Sequence, residues 1–240
     1  MLFSFFVLFD SMIIQIGKET SNKDLSTLAK VAFELLKWMI VWEPHLQKAV
    51  SVILTAANDS NWRTRSATLT YLRTFMYRHT YILSSSKKQE IWRTVEKLLK
   101  FGYFIEHAIL VEKVREHAAA VLAGLMKGGD EDLARDFHDR AYKEANIVQK
   151  RRKSRNASSG LSIASVHGAV LALVASVLSA PYDMPSWLPD HVTLLARFSG
   201  EPSPVKSTVT KAVAEFRRTH ADTWNVQKEL FTEEQLEVVI

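Results

Sequence analysis

Apolar residues return along most of this chain every three or four positions, the spacing that gathers them on one side of an α-helix. Leu25, Leu28, Ala32, Leu35, Leu36 and Met39 form the first such stripe, with Asn22 or Asp24 near its start and Pro44 as its stop. Leu46, Val50, Ile53, Leu54 and Ala57 predict a helix over 46–57, and the polar run Asn58-Asp59-Ser60-Asn61 turns the chain. Ala67, Leu69, Leu72, Phe75 and Met76 predict the next over 62–78. Ser84-Ser85-Ser86 breaks the pattern before a helix over 87–100. Two more are predicted over 107–127, ended by Gly128-Gly129, and over 131–148. No segment sustains a two-residue alternation, so the fold class is all-α.

Residues Leu161 to Ala180 carry no charge. A helix of Ala, Val and Leu has no face to give to water, so neighbouring helices must enclose it. Pro181-Tyr182-Asp183-Met184-Pro185-Ser186-Trp187-Leu188-Pro189 follows as a stiff turn. Ser186 is placed to cap a helix beginning at Trp187, with Pro189 in its first turn, where a missing N–H costs nothing. Ser203-Pro204 repeats that logic, with Pro204 at the first helical position. Thr232-Glu233-Glu234-Gln235 reads as a capping box. Its helix runs to Ile240 without a C-cap, and the chain reads as cut short at both ends.

Several helices open alike, at Thr64-Arg65, Val114-Arg115, Val166-His167 and Val205-Lys206, spaced 50, 52 and 39 residues apart. A period of about 40–50 residues with two helices per unit is the signature of a HEAT/armadillo-like α-solenoid of antiparallel helix pairs. Each unit buries its apolar face only against the next. The organisation read from the sequence is an apolar segment over 1–20, HEAT-like repeats over 21–148, a basic linker over 149–160 and a C-terminal block over 161–240.

The formal net charge of +5 comes from one place. Lys150, Arg151, Arg152, Lys153 and Arg155 stand within six positions, and the rest of the chain holds 26 basic residues against 26 acidic. A protein that follows a phosphate backbone spreads its basic residues along a face, so no direct nucleic-acid partner is expected. A short basic run in a polar loop matches a nuclear-import signal, with an import receptor as its partner. The apolar residues 1–17 lack a basic start and are interrupted by Asp10, which argues against a secretory signal. The uncharged segment contains four serines and His167, and its strictly apolar part, Ala169–Ala175, is far shorter than a bilayer needs. No membrane partner is expected.

The chain has no cysteine, so neither disulfides nor thiol chemistry arise. It contains no GxSxG elbow, no HExxH, no GxGxxG and no phosphate-cradling glycine loop. The eight histidines never form an i, i+4 pair, and each reads as a surface or hydrogen-bonded residue. His167 is expected to pack near a helix start and bond a nearby carbonyl. No catalytic residue, metal or cofactor is expected.

The C-terminal stretch resembles a known family. Its PYDxPxWxP segment, its Val-Lys helix closing on Phe-Arg-Arg-Thr-His, the following tryptophan and the Phe-Thr-Glu-Glu-Gln-Leu end are similar to the last part of the large HEAT-repeat proteasome activators. The signature residues are Pro181, Tyr182, Asp183, Pro185, Trp187, Pro189, Phe216, Arg217, Arg218 and Trp224. Residues 62–148, notably VREHAAAVLAGLMKGG, resemble the preceding repeats.

The resemblance implies a non-catalytic activator that binds the α-ring of the 20S proteasome core particle. It implies peptide hydrolysis stimulated without ATP or ubiquitin, turnover of acetylated histones, a role in DNA repair, and residence in nucleus and cytoplasm. The run Lys150–Arg155 falls where the family carries a segment rich in lysine and arginine. Family members continue beyond this stretch to a tail ending in aromatic residues and alanine. Animal members read acetyl-lysine through a bromodomain-like segment whose Asn-Phe pair corresponds to a place near Gly128-Gly129. Glycine offers neither an amide nor a ring, so acetylated histones are not expected to bind there. The alternatives are a generic nuclear HEAT scaffold without proteasome contact, and a membrane-associated helical protein suggested by the apolar segments 1–16 and 161–180.

Overall fold

The computed structural model describes residues 23–100, 108–128, 130–153 and 161–239. The apolar segment 1–20, Arg155 and the last residue, Ile240, lie outside the described residues. The described residues are helical without strands, and they form two compact units that divide between 129 and 130. The fold is all-α, in the HEAT/armadillo-like class of helix pairs.

The first unit contains α1 (Lys23–Lys37), α2 (His45–Ala57), α3 (Trp62–His79), α4 (Ser85–Lys100) and α5 (Ala108–Lys127). Helix α3 packs against α2 and α5, while α4 packs against α5 and α2. Leu46, Ile53, Leu69, Leu72, Phe75, Ile91, Val95, Leu99 and Leu122 are buried between them. The i, i+3 and i+4 spacing of the apolar positions therefore marks the faces that meet. Asn61 starts α3, its side chain accepting a hydrogen bond from Arg63 N at 2.9 Å.

The first stripe does not continue to Pro44. Helix α1 stops at Lys37, and the chain beyond it is held by the end of α3. Val41 N–H donates to His79 Nε2 at 2.9 Å, and His79 Nδ1 lies 2.8 Å from the Phe75 carbonyl. A backbone N–H only donates and a carbonyl only accepts, so the His79 ring is neutral with its proton on Nδ1. Burial pushes its pKa down in the same direction.

The second unit contains α6 (Glu131–Lys153), α7 (Ile163–Ser179), α8 (Leu188–Ala196), α9 (Val205–His220), α10 (Trp224–Gln227) and α11 (Glu233–Val239). Single 3₁₀ turns, Ala221–Thr223 and Lys228–Leu230, flank α10. The uncharged α7 is the centre, with Val166, Val170, Leu173, Ala175 and Val177 buried among α6, α8 and α9. That enclosure is what its composition demands. Among the described residues no helix is long and apolar enough to cross a membrane. Thr232 and Gln235 form the expected reciprocal cap, Thr232 N to Gln235 Oε1 at 2.9 Å and Gln235 N to Thr232 Oγ1 at 3.3 Å.

Four local expectations are corrected. The helix expected to end at residue 148 runs to Lys153, so Lys150, Arg151, Arg152 and Lys153 are helical rather than in a loop. Cations are favoured in the last turn of a helix, where carbonyls point outward unpaired. This helix also belongs to the second unit, because Phe137, Ala141, Ala145 and Val148 bury against α7 and α8. The break between blocks therefore precedes α6 and does not fall at 149–160.

Ser186 caps nothing. Trp187 precedes α8 without a side-chain cap, and Leu188 N donates instead to the Pro185 carbonyl at 2.9 Å. Pro204 stands just before α9 rather than as its first residue. His167, near the start of α7, reaches across to α9, its Nε2 lying 3.0 Å from Thr208 Oγ1.

Candidate functional site

The Pro181–Pro189 turn joins three layers of the second unit. Pro189 is buried, Pro181, Pro185 and Trp187 are half-buried, and Tyr182, Asp183 and Ser186 face solvent. Tyr182 and Asp183 are held by their backbones. The Tyr182 carbonyl accepts from Gln227 Nε2 at 3.0 Å, and the Asp183 carbonyl lies 3.3 Å from His220 Nε2. Two carbonyls that the prolines keep out of any helix are thus satisfied by α10 and the end of α9.

At the other end of the turn an aromatic cluster forms. The Trp187 indole stacks on His138 of α6, with ring centroids 4.0 Å apart, and meets His191 edge-on at 4.9 Å. Tyr142, one turn beyond His138, places its ring 4.9 Å from His191. His138 Nδ1 is 2.5 Å from Ser176 Oγ, which ties α6 to α7. His191 Nδ1 lies 2.8 Å from the Trp187 carbonyl and Nε2 lies 3.1 Å from the His138 carbonyl. Carbonyls only accept, so a neutral ring donates to one of them at a time and only a charged ring would donate to both. Burial works against that charge and pushes His191 down, while the two carbonyls and the nearby Asp190 and Asp139 hold it up. His138 is pushed down to about 4, first by burial and then by the neighbouring His191.

A second aromatic group closes the unit from below α9. Phe216 stacks obliquely on His220 at 4.4 Å and meets Trp224 edge-on at 6.3 Å; Trp224 then lies 5.5 Å from Phe231. Arg217 donates from Nε to the Val239 carbonyl at 3.0 Å, with a second guanidinium N–H on the same oxygen. It therefore pins the last turn of α11 to α9. Gln235 Nε2 donates to Asp190 Oδ1 at 2.7 Å, fastening the start of α11 to α8. Arg218 pairs with Glu215 on the exposed face of α9.

The structure brings together most of the residues singled out by the resemblance. Pro181, Pro185, Trp187 and Pro189 belong to one turn whose prolines and indole are half-buried to buried. Phe216, Arg217 and Trp224 lie where α9 meets the C-terminal helices, with Phe216 buried, Trp224 half-buried and Arg217 exposed. Arg218 stands apart on the surface, and the side chains of Tyr182 and Asp183 point to solvent. Lys150, Arg151 and Arg152 are exposed, and Arg152 makes a two-pronged ion pair with Glu201 at 3.1 and 2.6 Å. At Gly128 a Cβ would meet Thr80 Cγ2 at 3.1 Å, a tight contact to which Thr80 would have to yield by a few tenths of an ångström.

Sequence reasoning passed over His138, His191, Ser176 and Glu201. His191 lies four residues after Trp187 and His220 four after Phe216, a spacing that places each pair on one helix face. His138 and Ser176 are 38 residues apart, and no local pattern pairs them. Among the described residues no group of three or more His, Asp or Glu is placed to hold a metal ion.

Helix pairs stacked around an uncharged centre, closed by aromatic seams, define a helical-repeat protein of the HEAT-like class. Residues 163–240 match the family model described as "Proteasome activator complex subunit 4-like, C-terminal". The chain is 71% identical over 222 residues, 92% of its length, to "Proteasome activator subunit 4" of Arabidopsis thaliana. It is 30% identical over 95% of its length to "Proteasome activator complex subunit 4" of Homo sapiens, and 23% identical over 90% to "Proteasome activator BLM10" of Saccharomyces cerevisiae. The chain belongs to the proteasome activator subunit 4 family. It spans about 12% of the length of the Arabidopsis and human relatives.

Proposed function

We propose that this chain acts by binding the end ring of the 20S proteasome core particle, as part of an activator that stimulates peptide hydrolysis without ATP or ubiquitin. The observation that carries the reading is the match of residues 163–240 to the C-terminal family model, together with relatives named as proteasome activators over nine-tenths of the chain. The relatives' names describe regulators, not peptidases. Two buried polar pairs of the second unit join helices to one another, His138 with Ser176 and His167 with Thr208.

Part of the same proposal is residence in nucleus and cytoplasm, with the basic run Lys150–Arg155 read by an import receptor. Turnover of acetylated histones and a role in DNA repair belong to the reading of the whole activator. Gly128-Gly129 offers neither an amide nor a ring, which argues against acetyl-lysine binding at that place in this chain.

Hydrolysis of fluorogenic peptides tests the reading. The purified chain alone is expected to release no fluorophore, and its addition to purified core particle is expected to change the core particle's rate. Hydrolysis by the chain alone, surviving proteasome inhibitors, would overturn the non-catalytic assignment.

A further inference from the structure

The basic run is folded into the end of a helix and tied down there. Helix α6 carries Lys150, Arg151, Arg152 and Lys153 through its last turn. Successive residues of a helix leave the axis about 100° apart. Lys150, Arg151 and Arg152 consequently point in three different directions, and no single face gathers their charge.

Arg152 is further engaged by Glu201, in the turn between α8 and α9. Arg152 Nε and one terminal guanidinium nitrogen donate to the two Glu201 oxygens at 3.1 and 2.6 Å. The Glu201 side chain is only 15% exposed, so this carboxylate is set into the surface and is not a loose rim charge. Two parallel N–H···O bonds fix the guanidinium plane as well as its position.

An import receptor of the basic-signal class would present an acidic groove to consecutive lysines and arginines. Reading neighbours in a row requires an extended backbone, at about 3.3 Å per residue, where a helix rises only about 1.5 Å. We propose that the Arg152–Glu201 pair, with the helical backbone beneath it, holds the basic run closed to such a groove, and that breaking the pair opens it. This inference rests on the import reading given above and adds its regulation: the second unit masks its own signal while α6 is intact to Lys153.

Binding to a purified import receptor of that class decides it, measured by competition against a fluorescent basic peptide. Three samples are compared: the full chain, the full chain with Glu201→Gln, and a synthetic peptide of residues 148–160. The peptide is expected to bind, the full chain to bind more weakly, and Glu201→Gln to recover about two- to fivefold of the difference. Arg152→Lys keeps the charge of the run but loses the two-pronged bond, and it should shift binding the same way. Tryptic cleavage within 150–153 should quicken in both variants, a readout independent of the receptor, with helix content by circular dichroism unchanged. Equal binding and equal cleavage of wild type and variants, with the peptide bound, would overturn the masking and leave the import reading standing. A peptide that does not bind removes the import reading itself, and the masking with it.

Discussion

The indole of Trp187 lies over the imidazole of His138, with centroids 4.0 Å apart and planes 24° from parallel, although 49 positions separate them. One residue belongs to the proline-rich turn and the other to α6. Their contact fixes the turn against the first helix of the unit, and His191 completes the joint by spanning the Trp187 and His138 carbonyls.

Removing that indole should loosen the whole seam. Trp187 is half-buried, so Trp187→Ala is expected to cost about 2–4 kcal/mol, somewhat below the loss for a fully buried tryptophan. Urea unfolding followed by circular dichroism reads the loss, and Trp187→Phe should recover part of it by restoring a ring over His138. A Trp187→Ala variant as stable as wild type would show that the stack contributes little.

The same joint makes stability depend on acid. Burial depresses His138 to about 4 and lowers His191, so both bind protons less readily folded than unfolded. Stability from these groups is then fully present above about pH 6.5 and is lost as pH falls from there through about 4. Allowing for water that reaches the pair, the loss is expected to be at most about 2 kcal/mol. Unfolding midpoints at pH 7.5, 6 and 5 should fall in that order, and His138→Gln should flatten the slope. A midpoint that rises on acidification would contradict the assignment.

Arg217 should govern the end of the last helix. Arg217→Ala leaves the Val239 carbonyl without its guanidinium partner, at a cost of about 1–2 kcal/mol. Hydrogen exchange is expected to quicken at residues 235–239 while the amides of α7 keep their protection. Uniform quickening across the second unit would mean that Arg217 supports the core and not the helix end.

Much of the fold is legible in the sequence, for a definite reason. Where apolar residues recur at helical spacing and something polar or proline-rich interrupts them, local chemistry settles the element, as in α2, α3, α5 and α7. The absence of charge over 161–180 also foretells that α7 is enclosed. The local rules fail where a long-range partner outbids them. Helix α1 stops at Lys37, and beyond it the Val41 N–H donates to His79, 38 residues away. The serine at 186 reads as a cap, yet the turn closes through the Pro185 carbonyl and no side-chain cap is needed. Polar composition near 149–160 suggests a break between blocks, but α6 buries Phe137, His138 and Val148 in the second unit, which places the break before it. The resemblance reached the prolines and tryptophans of the site. His191 and His220 stand four residues after Trp187 and Phe216, a local signal, whereas His138 and Ser176 lie 38 positions apart and no local pattern pairs them.

Direct binding tests whether this chain is a proteasome-binding helical segment. Purified 20S core particle would be mixed with the chain and resolved on a native gel, with each band probed for both proteins. A slower-migrating core-particle band that contains the chain is expected. That band should weaken when Trp187→Ala unsettles the second unit. A chain that circular dichroism shows to be helical and folded, yet that never enters the core-particle band at any excess, would contradict the claim.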